Sequence, residues 1–413
     1  MTISISVSLV RGFCGCWPSL GVIEKLLRTC CHLSLITEKI GASLVLEKWA
    51  RCFRENLAGR KFCCANEPKA GGFTMNTLVS ILIAACAAAF AIFHTYPAPP
   101  KSPLLYQWEK EDGGSYFKFQ DYDIFFKDVK GNAENKDVLL CLHGFPTSSF
   151  DYYLVLPPLR KIFGRIVLFD FLGLGYSDKP RFHTYSIFEQ ANITEALMKK
   201  LGLRSVHVLA HDIGDTVAQE LLARQQEGVL SFEISTLCMM NGGILPQHHH
   251  PRWSQLILRM PVVGVVASRF MNHLVFRVAL ADVFGPNTKP TATDVHNYWH
   301  LARLKDGYRV FGLLLSYIDE RFENEERWVR ALQKSASKVH MIYGPADPVN
   351  KPPFQEHYRK LVPGSSIHIL HEHIGHYVHL EAPKEVVAGY LPFLEAHGVK
   401  TKTISVALPD RLL

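Results

Sequence analysis

One stretch of the chain, Val206–Asp215, joins a buried-strand pattern to an acidic residue in the turn that follows. The run of Val and Leu predicts a parallel strand, and the amphipathic pattern after the turn predicts a helix. A strand–turn–helix unit with small residues around the turn, here Ala210 and Gly214, is typical of a nucleophile elbow. Such a turn presents Asp212 beside the first N–H groups of the helix. Asp212 is therefore a candidate nucleophile.

The same residue admits a plainer interpretation, because Asp is common at the N-cap of a helix. An N-cap carboxylate accepts a hydrogen bond from an early helical N–H group and needs no chemical role. The stretch around Asp212 does not by itself decide between these two interpretations.

Two further polar residues follow strand patterns later in the chain. Val339–Tyr343 predicts a strand and is followed by Gly344–Pro348, which contains Asp347. Ile367–Leu370 predicts the last strand and precedes His376. Asp is common in Pro-bounded turns for conformational reasons alone, and the chain has 20 histidines. Asp347 and His376 are nevertheless candidate site residues, because each follows a predicted strand.

Strands and helices alternate around these residues. Further strands are predicted at Val138–Leu142, Ile166–Asp170 and Ile234–Met240, and Ser186–Leu201 predicts a helix with Glu189 in a capping box. Between residues 247 and 329 the strand patterns stop, and a helical, aromatic-rich pattern predicts an inserted cap. The alternation predicts a mostly parallel sheet with helices on both faces, in a domain spanning residues 105–397.

The charge of the 413-residue chain is concentrated in its N-terminal part. Residues 1–74 contain ten of the 45 Lys and Arg residues and five of the 38 Asp and Glu residues, so the remainder is nearly neutral. A nearly neutral domain lacks the basic face that nucleic acid requires, and we exclude nucleic acid as a partner. Cys141 and Cys238 lie in strand patterns and are predicted to be buried thiols rather than a disulfide.

Residues 1–74 have no clear periodicity and are predicted to be a weakly structured extension, rich in Cys and basic. The spacings Cys14–Cys16 and Cys63–Cys64 lack the paired C-x-x-C geometry of structural zinc sites. The histidine clusters elsewhere have no partner at ligand spacing. No metal is assigned.

Residues 75–96 are almost wholly apolar and reach the ~20 residues that a transmembrane helix needs. We expect a membrane anchor here. A cleaved signal peptide is the alternative, although the basic extension upstream is longer than a signal peptide's n-region. Arg60, Lys61 and Lys69 precede the segment, and the positive-inside tendency favours a lumenal catalytic domain.

Four motifs at predicted strand ends carry a resemblance to a known family. They are His143–Pro146; Asp170 with Gly173, Gly175 and Ser177; His211–Gly214; and Gly375–His376 followed by Glu381 and Pro383. In this order they resemble the α/β-hydrolase superfamily, and within it the epoxide hydrolase and haloalkane dehalogenase branch. The resemblance implies an α/β-hydrolase fold: a mostly parallel eight-stranded sheet, helices on both faces and an inserted helical cap.

The resemblance also implies roles for individual residues. Asp212 matches the nucleophile, Asp347 the acid that orients the histidine, and His376 the base. The backbone N–H groups of Phe145 and Ile213 match the oxyanion hole. The implied reaction is attack of Asp212 on a polarised carbon to form an alkyl ester, which water activated by His376 then hydrolyses. No cofactor is implied.

Two positions depart from the pattern of this branch. The residue after the nucleophile, often Trp, is Ile213, which argues against halide removal. Epoxide hydrolases use two cap tyrosines as donors to the epoxide oxygen. Tyr317 resembles the second, but the first half of the cap contains no Tyr, so the other donor is missing unless Tyr298 or Tyr308 reaches the site. Tyr317 is equally explained as a packed helix residue.

A closer resemblance to one member of this branch, carried by Phe145–Ser149, Ser186–Ala191 and Asn241–Gly243, implies the endoplasmic reticulum membrane. Together these features predict a membrane-anchored hydrolase that acts on a small lipophilic substrate, an epoxide or related lipid, through an ester on Asp212. One alternative is lipid acyl-ester hydrolysis or acyl transfer, in which an Asp nucleophile would form a mixed anhydride. Another is a non-catalytic membrane scaffold that retains the fold.

Overall fold

The computed structural model of the chain describes residues 79–88, 98–110 and 113–401. The chain divides into two units after Cys86, and the predicted extension over residues 1–74 lies outside the described residues. Val79–Ala88 (α1) is a short apolar helix. Within the described ranges, no single helix has both the length and the apolar character needed to cross a membrane. The rest of the predicted anchor, residues 75–78 and 89–96, is not among the residues described.

An eight-stranded sheet is the centre of the second unit. Its strands are β1 (Gly114–Phe119), β2 (Tyr122–Lys130), β3 (Val138–Leu142), β4 (Arg165–Phe169), β5 (Ser205–His211), β6 (Glu233–Met240), β7 (Val339–Tyr343) and β8 (Ser366–Ile369). Their order across the sheet is β1-β2-β4-β3-β5-β6-β7-β8. The β1–β2 and β2–β4 pairs are antiparallel and all other pairs are parallel. The mostly parallel eight-stranded sheet is confirmed.

The helices of this unit pack on the sheet or form an insertion. They are α2 (Pro103–Lys110), α3 (Leu156–Ile162), α4 (Ile187–Lys200), α5 (Ile213–Gln226), α6 (Trp253–Arg259), α7 (Val263–Arg269), α8 (His273–Ala281), α9 (Ala292–Arg303), α10 (Phe311–Leu314), α11 (Tyr317–Glu323), α12 (Glu325–Lys334), α13 (Phe354–Leu361), α14 (Val378–Glu381) and α15 (Pro383–Ala396). At the start of α4, the hydroxyl of Ser186 accepts a hydrogen bond from the backbone N–H of Glu189. This is one half of the predicted capping box; the carboxylate of Glu189 lies 2.7 Å from His183 Nε2 instead.

The central strands are buried because both faces of the sheet are covered by helices. Residues 339–343 of β7 are all buried, and in β5 all but the first residue are buried. Their runs of Val, Leu, Ile and Met follow from that environment. The buried thiols of Cys141 and Cys238 are both free, as predicted.

The chain between β6 and β7 contains helices α6 to α12 and no strand. We call residues 246–338 the cap; the predicted insertion at 247–329 lies within it. The carboxyl ends of β3 to β8 lie at one edge of the sheet, because these six strands are parallel. Loops from six strands therefore converge at that edge, which is where parallel α/β sheets place their ligand sites.

Candidate active site

Asp212 lies in the turn between β5 and α5. Its backbone has φ 53° and ψ −108°, a conformation that non-glycine residues adopt only where the surrounding structure enforces it. Asp212 occupies the N-cap position of α5, yet its side chain forms no capping hydrogen bond. The carboxylate is thus directed to partners outside the helix that it precedes.

A backbone contact that only glycine permits closes this turn. A Cβ atom on Gly214 would lie 2.3 Å from the carbonyl oxygen of Leu142, at the end of β3. Because β3 pairs with β5, that carbonyl cannot move away without disturbing the sheet. The small residue expected two positions after Asp212 therefore has a direct steric cause.

One carboxylate oxygen of Asp212 is held by the main chain. The backbone N–H of Phe145, three residues after β3, donates to Oδ2 at 3.0 Å. Ile213 directly follows Asp212 as the first residue of α5, whose early N–H groups have no partner within the helix. The two residues predicted as oxyanion-hole donors thus lie on either side of the carboxylate.

His376 and Asp347 form a buried pair beside it. They follow the adjacent parallel strands β8 and β7, and His376 Nδ1 lies 3.1 Å from Asp347 Oδ2. Two further bonds fix the acid: the N–H of Val349 donates to its Oδ1 at 2.8 Å, and Asn350 Nδ2 donates to its Oδ2 at 3.0 Å. The structure therefore brings Asp212, Asp347 and His376 to one edge of the sheet, with Asp212 and His376 lining the same cavity.

Asn241, directly after β6, ties the acid loop to the histidine loop. Its Nδ2 donates to the carbonyl oxygens of Gly344 at 3.1 Å and Gly375 at 2.8 Å. Its Oδ1 accepts from the N–H of Gly344 at 2.9 Å. Glu381 holds the histidine loop from the other side, accepting from the N–H groups of Gly375 at 2.8 Å and Tyr377 at 3.0 Å. Both residues position the acid–histidine pair without lining the cavity.

Comparison with known proteins places this arrangement in a family. A sequence model described as alpha/beta hydrolase fold matches residues 137–259. The mesoderm-specific transcript protein of Mus musculus is 43% identical to this chain over 305 residues, which are 73% of this chain and 90% of that protein. The chain belongs to the α/β-hydrolase superfamily.

More distant relatives agree with this assignment. LipZ of Mycobacterium tuberculosis, named as a hydrolase, is 35% identical over 294 residues, 71% of this chain and 99% of that protein. The solved structure of haloalkane dehalogenase DbeA from Bradyrhizobium elkani has the same fold, with a TM-score of 0.56 and 22% identity over 69% of this chain and 99% of that chain. The prediction of a hydrolase of the α/β-hydrolase superfamily is confirmed.

This α/β-hydrolase places a buried arginine, which the sequence analysis missed, against Asp212. Arg321 lies on α11 of the cap and is 1% exposed. Its Nη2 donates to the backbone carbonyl oxygen of Asp212 at 3.0 Å and lies 3.4 Å from the carboxylate Oδ1. Its Nε donates to the hydroxyl of Thr216 at 2.8 Å, and its Nη1 to Nδ1 of His249 at 3.1 Å. One cap side chain therefore contacts both the main chain and the carboxylate of Asp212.

The run Asn241–Gly243 makes room for this arginine. A Cβ atom on Gly243 would lie 2.2 Å from Arg321 Nη1 and 2.5 Å from His249 Nδ1. Because Arg321 keeps its charge at any ordinary pH, His249 has to accept that hydrogen bond as a neutral imidazole. Burial, followed by the charge of Arg321, lowers the pKa of His249 to about 3. The Gly243 position was the only local sign of Arg321 in the sequence.

The charges in the site are coupled. Burial opposes the charge of His376, but Asp347 and then Asp212 outweigh it and raise its pKa to about 9. Burial likewise opposes ionisation of Asp212, yet His376 and Arg321 hold its pKa below the usual value. The interactions with Asp347 and Asp212 thus favour the protonated form of His376, and loss of the negative charge of Asp212 would lower the pKa of His376.

A small, mostly apolar cavity lies between the sheet edge and the cap. Besides Asp212 and His376 it is lined by apolar residues from both sides and by three polar residues of α6 and its N-cap: Arg252, Ser254 and Gln255. The space open to the centre of a water molecule is about 60 Å³, enough for roughly five waters. The polar groups on the cap side of the cavity therefore all come from one helix and its N-cap.

None of the cap tyrosines considered in the sequence analysis lines this cavity. Tyr317, on α11, is buried behind it: its hydroxyl accepts from Gln255 Nε2 at 3.4 Å, and its ring lies 4.5 Å from the Arg321 guanidinium. Tyr298 packs against Phe150, and Tyr308 packs against Trp299. Tyr298 and Tyr308 therefore do not replace the missing donor. The Tyr317 hydroxyl contacts Gln255, which lines the cavity.

Three buried residues behind the elbow are of types that bind metals. Ligand atoms of Asp151, His211 and His379 lie within 4.8 Å of one another. Zinc at ~2.0–2.1 Å from each ligand would need them nearer to about 3.4 Å apart. Burial, then His376, lowers the pKa of His211 to about 3, and its Nε2 lies 3.0 Å from the carbonyl oxygen of His376. His211 thereby supports the histidine loop, and we assign no metal to this cluster.

Proposed function

We propose that this α/β-hydrolase opens a lipophilic epoxide through a covalent alkyl ester on Asp212. The observation that carries the proposal is the placement of the Asp212 carboxylate, which lines an apolar cavity with His376 while its Oδ2 is bonded to the N–H of Phe145. That bond leaves Oδ1 as the attacking atom. The small size of the resting cavity and its apolar lining suit a lipophilic substrate that enters when the cap moves.

In the first step, Asp212 Oδ1 attacks a ring carbon of the epoxide and the bond from that carbon to the ring oxygen breaks. The ring oxygen takes the proton that protonated His376 gives up and becomes a hydroxyl group, so that a hydroxyalkyl ester on Asp212 and a neutral His376 remain. Gln255 and Ser254 are the uncharged hydrogen-bonding groups of the cap that line the cavity, and Tyr317 contacts Gln255. These groups are placed to bind the ring oxygen as it develops negative charge.

Ester formation removes the negative charge of Asp212, and this prepares the second step. With that charge gone, the pKa of His376 falls from about 9. Neutral His376 then takes a proton from water, and the hydroxide attacks the ester carbonyl carbon while Phe145 and Ile213 donate to the oxyanion. The bond between the carbonyl carbon and the alkoxy oxygen breaks, and the alkoxy oxygen takes the proton of the hydroxyl group that attacked. The diol leaves, the Asp212 carboxylate re-forms beside Arg321, and His376 is again protonated as at the start.

The alternatives fit the site less well. Attack of Asp212 on an acyl ester would give a mixed anhydride, and halide removal would lack the indole donor that Ile213 replaces. A non-catalytic scaffold would have no need for the strained backbone of Asp212 or for a buried imidazolium between two carboxylates. Each alternative predicts that no alkyl ester forms on Asp212.

The test is a single-turnover incubation of His376→Gln with a panel of lipid epoxides. This variant should form the ester but hydrolyse it slowly, so intact-protein and peptide mass spectrometry should show an adduct on Asp212. His373→Gln is the matched control, because His373 lies in the same loop but is exposed; it should turn over normally and accumulate nothing. Absence of an adduct across chemically diverse epoxides would refute the mechanism.

We also propose that residues 75–96 anchor the chain in the endoplasmic reticulum membrane with a lumenal catalytic domain. The apolar helix Val79–Ala88 supports this placement by composition. Asn192 provides a test, because Asn192–Thr194 is an N-x-T acceptor and Asn192 is exposed on α4. An endoglycosidase shift in the wild-type chain that is absent in Asn192→Gln would support the topology. Protease access to the domain from the cytosolic side of sealed microsomes would refute it.

A further inference from the structure

Three consecutive helices of the cap, α6 to α8, expose apolar side chains that soluble domains usually bury. The exposed set, which we call the apolar cap face, consists of Leu256, Val262, Val265, Val266, Leu274 and Val278. Val262 is 74% exposed and Leu274 is 65% exposed. A run of this kind within 23 residues is unlike the scattered apolar residues of an ordinary surface, and such patches mark interaction sites.

The burial pattern of α7 is the reverse of that expected for a helix on a soluble domain. Its buried residues are Gly264 and Ser268, whereas three of its valines point outward. Gly264 is enclosed because a Cβ atom there would lie 2.0 Å from the carbonyl oxygen of Leu258 on α6. The small residues of α7 thus allow α6 and α7 to pack closely, and the valines of α7 remain exposed.

Helix α8 is apolar on two opposite sides. Phe276 and Leu280 are one turn apart, buried and turned toward the cavity, which both line. Leu274 and Val278 are one turn apart on the other side and exposed. A helix that is apolar all round is suited to an apolar environment on both sides. One side of α8 therefore meets the active-site cavity and the other meets the surroundings of the protein.

The charged residues within the segment that carries this face are all positive. Residues 252–281 contain four Arg and one His, and no Asp or Glu. Arg252 pairs with Asp282, and Arg259 pairs with Asp319. In the part of the chain that the structure describes, Arg269 and Arg277 form no ion pair, and Arg277 is exposed. Apolar residues flanked by unpaired arginines match the interface of a bilayer with anionic headgroups.

The N-terminal linker meets the domain next to this face. His300 Nδ1 lies 2.6 Å from the carbonyl oxygen of Pro99, and His296 Nε2 lies 2.9 Å from that of Pro100. Both histidines are on α9, which packs against α8. The linker is therefore held against α9, and α9 in turn contacts α8 through Trp299 and Phe276.

From these observations we infer that the apolar cap face docks on the surface of a bilayer that contains anionic lipids. Docking would place α6 and α8 between the lipid and the cavity that they line, so that a lipophilic substrate passes from the bilayer to Asp212 through the cap. The inference goes beyond the proposed function, since it concerns a surface and not the reaction. A membrane is favoured over a second copy of the chain because the unpaired charges are of one sign and would repel on self-association.

The experiment uses the full-length chain in nanodiscs of phosphatidylcholine with about one third phosphatidylserine. A photo-crosslinking diazirine amino acid replaces Val265 in one sample and Val229 in the other. Val229 is a matched control, because it is also a valine and is 63% exposed but lies in the loop before β6. We expect lipid adducts from position 265 and none from position 229. Equal lipid labelling, or none at 265, would overturn the inference.

Two further outcomes would also overturn the inference: crosslinks from position 265 to a second copy of the chain, or to residues 1–96 of the same chain.

The contribution of charge to docking has its own test, in which Arg269→Glu is combined with Arg277→Glu. This pair should abolish the gain in lipid labelling at position 265 that phosphatidylserine gives over pure phosphatidylcholine. Persistence of that gain would show that the arginines do not meet the headgroups. None of these measurements depends on turnover.

Discussion

The sheet side and the cap side of the active site are held by different kinds of contact. On the sheet side, main-chain geometry sets the positions: the strained turn at Asp212, the N–H of Phe145, and the loops that Asn241 joins. On the cap side, side chains from separate helices reach inward, as Arg321 and Gln255 do. Main-chain positions persist through most substitutions, whereas side-chain positions change with a single residue. The sheet side therefore fixes the positions of the reacting groups, and the cap side determines which substrate reaches them.

The largest effect is expected from the sheet side. Asp212→Ala should abolish turnover, by about 10⁴-fold or more, because the nucleophile is lost. The fold should remain, since Asp212 lies in a turn and not in the apolar core. Asp212→Asn should be equally inactive but closer to the wild type in melting temperature, because its amide oxygen can still accept from the N–H of Phe145. Steady-state assays and calorimetry measure both properties, and retained activity in either variant would disprove the assignment.

The next largest effect tests whether Arg321, a cap residue, stabilises the sheet side of the site through its contact with Asp212. Arg321→Met removes a fully buried charge from Asp212 and should cost about 3 kcal/mol of unfolding free energy. Arg330→Met, which breaks the exposed pair with Glu326, should cost less than about 1 kcal/mol. Urea unfolding compares the two.

Arg321→Met should also slow hydrolysis of the Asp212 ester more than its formation, because Arg321 stabilises the carboxylate that hydrolysis regenerates. Arg321→Lys should restore part of that rate. If Arg321→Met slowed both steps equally, its effect would be structural only.

A smaller effect concerns the coupling between the charges. The pKa of His376 should be about 9 in the wild type, should fall most in Asp347→Asn and should fall less in Asp212→Asn. Nitrogen-15 NMR of the imidazole ring measures all three. Since the folded pKa is raised above 6.5, protonation of His376 stabilises the fold below pH 6.5, and this contribution is lost as the pH rises through about 9. The melting temperature should therefore fall over that range in the wild type relative to His376→Gln. If the pKa of His376 were unchanged in Asp212→Asn, the proposal that ester formation on Asp212 lowers this pKa would be contradicted.

The smallest effect is expected from Tyr317. Tyr317→Phe removes one hydroxyl that contacts the cavity only through Gln255, so ester formation should slow by no more than about tenfold. Tyr308→Phe, in the same cap but packed against Trp299, should have no effect. Rapid-quench measurement of ester formation distinguishes them. Equal rates for the two variants would make Tyr317 a packing residue.

The residues that meet on the sheet side could be named from the sequence because their signals are local. Each of Phe145, Asp212, Asp347 and His376 follows a strand pattern within a few residues, and turn residues such as Gly214 accompany them. Arg321 has no such signal: it lies 109 positions after Asp212, in an ordinary helix, and its role depends on how the cap folds over the sheet. The same reason explains why Tyr298 and Tyr308 could not be excluded, and why α7 gave no sign of its reversed burial. Packing between distant helices is a tertiary property that periodicity does not encode.

The small volume of the cavity also affects how tightly a large substrate appears to bind. A ligand larger than the cavity binds only the fraction of molecules whose cap has opened, so its measured affinity is the intrinsic affinity reduced by that fraction. If about one molecule in a hundred is open, the reduction is about 2.7 kcal/mol. Anything that favours the open form, a lipid surface under the cap included, would lower the apparent Kd and raise the rate of product release without altering a single group around Asp212.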